Sequence, residues 1–127
     1  MSIEHLKTSS GRTVLYGDFE GMTDQDEILK QGMRLAQELK NSSGPQYFLV
    51  NFKGATVGTA FMTAIKNEAK LILKTIPLTT AVLGIDGLKQ ILIQGYIRFT
   101  GSNLRMFKTK EEAIGYLDTA QLSTVRK

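Results

Sequence analysis

The side chains able to do chemistry are few and scattered. One histidine, His5, lies near the amino terminus, and the chain has no cysteine. Disulfides, thiol nucleophiles and zinc–thiolate sites are thereby excluded, and Ser-His-Asp chemistry would depend on His5 alone. A single imidazole in a terminal strand reads as a surface or packing residue, because imidazole metal sites recruit several ligands. Asp18, Glu20, Asp24, Asp26 and Glu27 cluster in sequence, but two of them are accounted for by helix capping and no acid–base pair is forced. No carboxylate spacing matches a calcium loop, so no metal is expected. Gly84-Ile85-Asp86-Gly87-Leu88-Lys89 occupies a strand-to-helix turn where a phosphate loop could lie. It has neither the GxGxxG nor the GxxxxGK(S/T) spacing, so it reads as a structural cap and no cofactor is expected.

The stretch that could present a site is Gln46 to Ile76. Tyr47-Phe48-Leu49-Val50-Asn51-Phe52 is almost continuously apolar and predicts a strand buried on both faces. Lys53-Gly54-Ala55-Thr56-Val57-Gly58-Thr59 then turns the chain into a helix over Ala60–Ile76. In open α/β sheets the loops after the carboxyl ends of strands meet ligands and partners. Lys53, Gly54, Thr56 and Gly58 are therefore the candidate interaction loop. Lys66, Lys70 and Lys74 recur at every fourth residue of the following helix. That row reads either as an acid-binding ridge or as a solvated face whose stems cover apolar neighbours; the second is preferred.

The elements that must position this stretch follow from period and punctuation. Ile3–Lys7 and Arg12–Phe19 flank the turn Thr8-Ser9-Ser10-Gly11 and predict a hairpin. Asp24 with Glu27 has capping-box spacing, and Ile28, Gly32, Leu35, Ala36 and Leu39 form one apolar helix face, with Gly32 allowing close packing on the sheet. Leu78–Ile85 predicts a second buried strand, after which Asp86 is the expected N-cap of a helix from Gly87 to about Phe99. Leu88, Ile91, Leu92, Gly95 and Phe99 are its expected inner face. Ile93, Tyr96 and Ile97 fall outside that stripe, so the helix is apolar over more than half its circumference, as for one buried on two sides or meeting a partner. Asn103–Phe107 predicts a short strand and Thr109–Glu112 a capping box for a last helix whose Ala113, Ile114 and Leu117 face inward. Residues 119–127 read as a frayed tail. Strands alternating with helices after a hairpin predict an α/β fold: about five strands in a mostly parallel sheet, with about four helices.

Composition sets the class. At 127 residues with 42% apolar and 22% charged side chains, the chain is a single globular domain with a substantial core. No apolar run is long enough to span a membrane, and the amino terminus has no signal-peptide pattern, so a cytoplasmic location is expected. The net charge of +4 hides a skew: residues 1–50 carry five basic and seven acidic side chains, residues 51–127 eleven and five. No nucleic-acid reading motif accompanies the basic half, and nucleic acid is not expected as a partner.

Several strings resemble a known family. Thr80-Ala81-Val82-Leu83-Gly84-Ile85-Asp86-Gly87-Leu88-Lys89, Tyr96-Ile97-Arg98-Phe99-Thr100-Gly101 and Met106-Phe107-Lys108-Thr109-Lys110-Glu111-Glu112-Ala113, together with the order of elements over about residues 12–118, resemble the STAS domain. This is the fold of bacterial anti-sigma-factor antagonists (SpoIIAA-like proteins), with CRAL-TRIO-like relatives. The resemblance implies a non-enzymatic regulatory module that binds a protein partner or a second copy of itself. Phospho-switched antagonists carry an acidic residue and a phosphorylatable serine where the helix after the central strand begins. The matching positions here are Gly58 and Thr59, so Thr59 is the candidate phosphosite or helix cap and the motif is degraded. The alternative implied by the CRAL-TRIO-like relatives is an apolar, lipid-like ligand or a nucleotide between sheet and helices; Gly84, Asp86 and Tyr96 are candidate contacts for a ligand or a partner.

Overall fold

The structure, a computed structural model, describes residues 2–42 and 44–120. The elements are β1 Ser2–Lys7, β2 Thr13–Asp18, α1 Gln25–Lys40, β3 Gln46–Asn51, α2 Thr59–Thr75, β4 Leu78–Leu83, α3 Leu88–Thr100, β5 Arg105–Phe107 and α4 Lys110–Thr119. The five strands lie side by side in sequence order, β1 antiparallel to β2 and all later neighbours parallel. This is the α/β architecture that the alternating periods predict, with the hairpin at its amino-terminal edge.

A strand order that never reverses decides where the helices go. Each right-handed crossover steps the same way across the sheet, so α1, α2 and α3 all land on one face. There Leu15, Val50 and Val82 meet Ile28 and Leu35 of α1, Phe61 and Ile72 of α2, and Ile93 of α3. Helix α4 folds over the opposite face, where Ala113 and Leu117 pack on Val14, Tyr16, Leu49, Ala81 and Leu83. Strand β4 is consequently buried along its whole length, which is why its sequence shows no apolar–polar alternation. The sheet also has no point of strand-order reversal, the place where doubly wound folds open a crevice for nucleotides.

Capping works as read at two helices and differently at two others. Asp24 accepts the backbone N–H groups of Asp26 and Glu27 at 2.9 and 3.2 Å, and the Thr109 hydroxyl accepts that of Glu112 at 3.2 Å. Asp86 does not cap α3, however: Gly87 is the N-cap, and no side chain accepts from the first turn. Gly58, not Thr59, caps α2, again without a side-chain acceptor. In α2 the polar candidate Thr59 is already the first helical residue, one position past the cap, and in α3 Asp86 lies one position before it.

Two packing expectations also change. Gly32 makes its close approach to α2 instead of the sheet, a Cβ there falling 2.7 Å from Phe61 Cε1 and 2.9 Å from Ile65 Cδ1. On α3 the expected inner face is largely the outer one: Ile93 is buried, whereas Leu88, Ile91 and Phe99 are exposed. Helix α4 runs to Thr119, the first residue of the expected tail. Arg12 Nη1 donates to the carbonyls of Leu117 and Ala120 at 2.8 and 2.7 Å, closing the helix end from the hairpin turn. Ser10 donates its hydroxyl and its N–H to Asp118 Oδ1 at 2.6 and 3.0 Å, and hydrogen bonds from the Ser10 and Thr8 side chains hold that carboxyl below its usual range. The rest of the expected tail, residues 121–127, lies outside the described residues.

Candidate functional site

The loop after β3 is braced. Asn51 accepts the Lys53 N–H on its side-chain oxygen at 2.9 Å, starting the turn, and Ala55 N–H returns to the Phe52 carbonyl at 2.9 Å. The segment after β2 holds the other side. Gly21 N–H donates to the Lys53 carbonyl, Thr56 N–H to the Met22 carbonyl, and Gln25 Nε2 to the Thr56 carbonyl, each at 2.9 Å. The small side chain of Ala55 points into the core while Lys53, Thr56 and Thr59 are exposed. From the third side, the Gly84 backbone lies directly on Phe52 and Lys53. Lys89 of α3 donates to the Phe52 carbonyl at 3.0 Å and pairs with Asp86 at 3.6 Å.

The structure therefore gathers Lys53, Gly54, Gly84 and, through Lys89, Asp86 at one end of the sheet. Thr56 and Gly58 lean toward Gln25, whose Oε1 lies 2.8 Å from where a Gly58 Cβ would stand. Tyr96 is elsewhere, on the side of α3 turned toward the core. Thr59 is exposed in the first turn of α2, a turn with no acidic residue. A negative charge placed there meets the helix dipole favourably. Thr59→Asp is expected to raise stability by about 0.3–1 kcal/mol in low salt, with the gain fading as salt is added. Thermal melts of the two proteins at low and high ionic strength check this.

Sequence reading missed a polar cluster on the α4 face beside this loop. Asn51, buried, donates to Glu20 Oε1 at 3.0 Å and sits 3.4 Å from Asp18 Oδ1 and 3.5 Å from the Tyr16 hydroxyl. Lys110 Nζ lies 4.5 Å from the Tyr16 ring centroid. Burial, offset in part by the Asn51 hydrogen bond, raises the Tyr16 phenol, and Asp18, Glu20 and Glu4 add to the rise. A phenol held protonated and an amide with its donors used make a brace between β2 and β3. The only sequence signal for it was an Asn ending an apolar strand. His5 is exposed on the edge strand β1. Among the described residues no three His, Cys, Asp or Glu side chains converge to hold a metal ion, and no helix is long and apolar enough to cross a membrane.

The outward side of α3 is the most distinctive surface nearby. Leu88 and Ile91 are each 69% exposed and Phe99 is 42% exposed. With Gly95 they recur at i, i+3, i+7 and i+11, one stripe roughly 16 Å long. Its border toward α2 is basic: Lys66 and Lys70 place their ammonium groups 5.2 and 4.6 Å from the Phe99 ring centroid. The lysine row thus covers an aromatic neighbour and carries positive charge along the edge of an apolar stripe.

Beneath the three crossover helices lies a cavity of about 80 Å³, lined almost wholly by apolar side chains including Phe48, Phe61, Ile65 and Ile72, with Tyr96 and Leu104 from the α3 side. Burial alone pushes the Tyr96 phenol up to about 12, and its hydroxyl has no hydrogen-bond partner among the described residues. A folded-state value above the unfolded value of 10.0 means that this tyrosine's contribution is present below pH 10 and lost as pH rises toward 12. With the ring partly exposed, the displacement is worth on the order of 1–2 kcal/mol. Tyr96→Phe is expected to match or slightly exceed the parent stability at neutral pH and to lose less on alkalinisation. Urea unfolding of both proteins at about pH 9 and about pH 11 measures the difference.

Compared with protein-family models, with curated proteins and with solved structures, the chain matches none.

Proposed function

We propose that this chain is a non-enzymatic, STAS-like interaction domain that binds a protein partner through the outward face of α3 and the adjoining loop from Lys53 to Thr59. The observation that carries the reading is the pair Leu88 and Ile91, each 69% exposed on a helix whose opposite side is already buried. Exposed large aliphatics aligned along one helix face mark a contact surface. The family part of the proposal rests on the resemblance of the strings from Thr80 to Lys89, Tyr96 to Gly101 and Met106 to Ala113. In this reading Thr59 is the position where phosphorylation would add charge at the margin of the surface.

A photo-crosslinking residue placed at Ile91 tests it, with the same residue at exposed Lys30 of α1 as the control. Discrete adducts from position 91, absent from position 30 and removed by Leu88→Asp, are the expected result. A chain that yields no specific adduct and stays monomeric across concentration in light scattering overturns the reading.

The cavity supports a second reading, a small apolar ligand held between the sheet and α1–α3 with the Tyr96 hydroxyl as its polar contact. Native mass spectrometry of the purified protein decides it. A retained small mass, removed by organic extraction, supports this reading; a bare mass with no thermal shift against lipids or nucleotides overturns it.

A further inference from the structure

We infer that the partner seated on α3 is an amphipathic helix with acidic flanks, docking into a notch centred on Gly95. This rests on the reading of α3 as the contact surface and names the chemistry of what covers it. Gly95 lies mid-stripe, and a Cβ built on it would meet no atom within 4 Å. On a helix surface its neighbours are the residues three and four positions away, here Ile91, Leu92, Arg98 and Phe99. Three apolar walls around a bare backbone form a hole of the kind that receives one projecting side chain of a facing helix. Leu88 extends the contact toward the amino end of α3, and the stripe of roughly 16 Å matches about three turns of such a partner.

Charge decides which helix. The stripe is flanked by cations on both sides, with Lys66 and Lys70 over Phe99 on one and exposed Arg98 on the other. Within the stripe's own helix there is no carboxylate; Asp86, just before it, already pairs with Lys89. A second copy of this chain would offer Leu88 or Ile91 as a knob but would bring two basic rims together. An anionic lipid surface would satisfy the lysines, but a fluid surface gains nothing from a notch and would prefer a filled, more apolar stripe. A helix with Leu or Met knobs and Glu on its shoulders satisfies the notch and the charges together.

The test uses the full chain and labelled peptides of about five turns, one with Leu knobs and Glu flanks, the other with the same knobs and Lys flanks. Fluorescence anisotropy is expected to show the acidic peptide bound at least about tenfold more tightly than the basic one, with affinity falling as salt rises. The double variant Lys66→Glu/Lys70→Glu is expected to reverse that preference. Gly95→Leu fills the notch on a solvent-facing position, with folding verified by circular dichroism, and is expected to abolish peptide binding. Vesicles of phosphatidylcholine with phosphatidylglycerol form the other arm. Vesicle binding that Gly95→Leu strengthens, without peptide binding, overturns the inference in favour of a lipid surface. Equal binding of both peptides overturns the acidic partner, as does concentration-dependent dimerisation suppressed by Ile91→Asp. Binding to neither peptide overturns the helix partner too; specific adducts from position 91 would then show that the contact-surface reading survives it.

Discussion

Gly84→Ala is expected to destabilise the fold by at least ~3 kcal/mol and to disorder the junction between β4 and α3. Gly84 has φ +76, and a Cβ there would overlap the Lys53 backbone nitrogen and Cα and lie 2.7 Å from the Phe52 carbonyl carbon. Backbone cannot rotate away as a side-chain tip can, so the two loops must separate. The Phe52 N–H bond to the Leu83 carbonyl at 2.9 Å and the Lys89 bond to the Phe52 carbonyl at 3.0 Å then lose their geometry. Gly101 is the internal control. It has φ +71 but open space where a Cβ would stand, so Gly101→Ala carries only the left-handed backbone penalty of roughly 1–2 kcal/mol. Urea titrations of both variants separate the contributions. A Gly84→Ala loss no larger than that of Gly101→Ala would show that the close approach of the loops is dispensable. Because Gly84 seats the start of α3, the same variant is expected to weaken any partner bound on that helix.

Phe61→Ala is expected to remove about 3–5 kcal/mol, near the upper end of that range. Phe61 is buried and meets Phe19 and Phe52 edge-on, with centroids 5.8 and 6.1 Å apart, while Phe19 and Phe52 stack at 5.0 Å. Its ring also fills the gap opposite Gly32 of α1. The space left behind would join the cavity of about 80 Å³ that Phe61 already lines. That space is bordered by residues of the sheet and of α1, α2 and α3, which limits collapse and keeps the cavity penalty high. A dry, enlarged apolar hole takes up small aromatics. Indole is therefore expected to raise the melting temperature of Phe61→Ala and to leave the parent protein unaffected. A loss below about 2 kcal/mol, with no indole effect, would mean that the helices close over the gap.

The amino-acid sequence by itself determined the kinds of element, their order and the parallel sheet. Those features rest on local physics: the continuous apolar runs of β3 and β4, the periodic face of α1, and the acidic and hydroxyl caps Asp24 and Thr109. The side of the sheet taken by the three crossover helices was decided by tertiary structure, where a strand order that only advances leaves one right-handed solution.

Which face of α3 is buried was settled only by tertiary structure. Leu88, Ile91, Leu92, Gly95 and Phe99 make one apolar stripe and Ile93, Tyr96 and Ile97 another. Periodicity finds both, and taking the first as the inner face put the exposed side inward, because helical phase says nothing about rotation relative to a sheet. Lys89 on the Phe52 carbonyl, Ile93 in the core and Tyr96 at the cavity fix that rotation. The candidate site changed character for the same reason. The loop after β3 reads in sequence as a free presenting loop, yet hydrogen bonds from Gly21 and Gln25, the Met22 carbonyl that accepts from Thr56, and the backbone of Gly84 make it a support for α3. Those partners are distant in sequence, so only the assembled sheet brings them together, and the exposed stripe beside them is what folding leaves for a partner to cover.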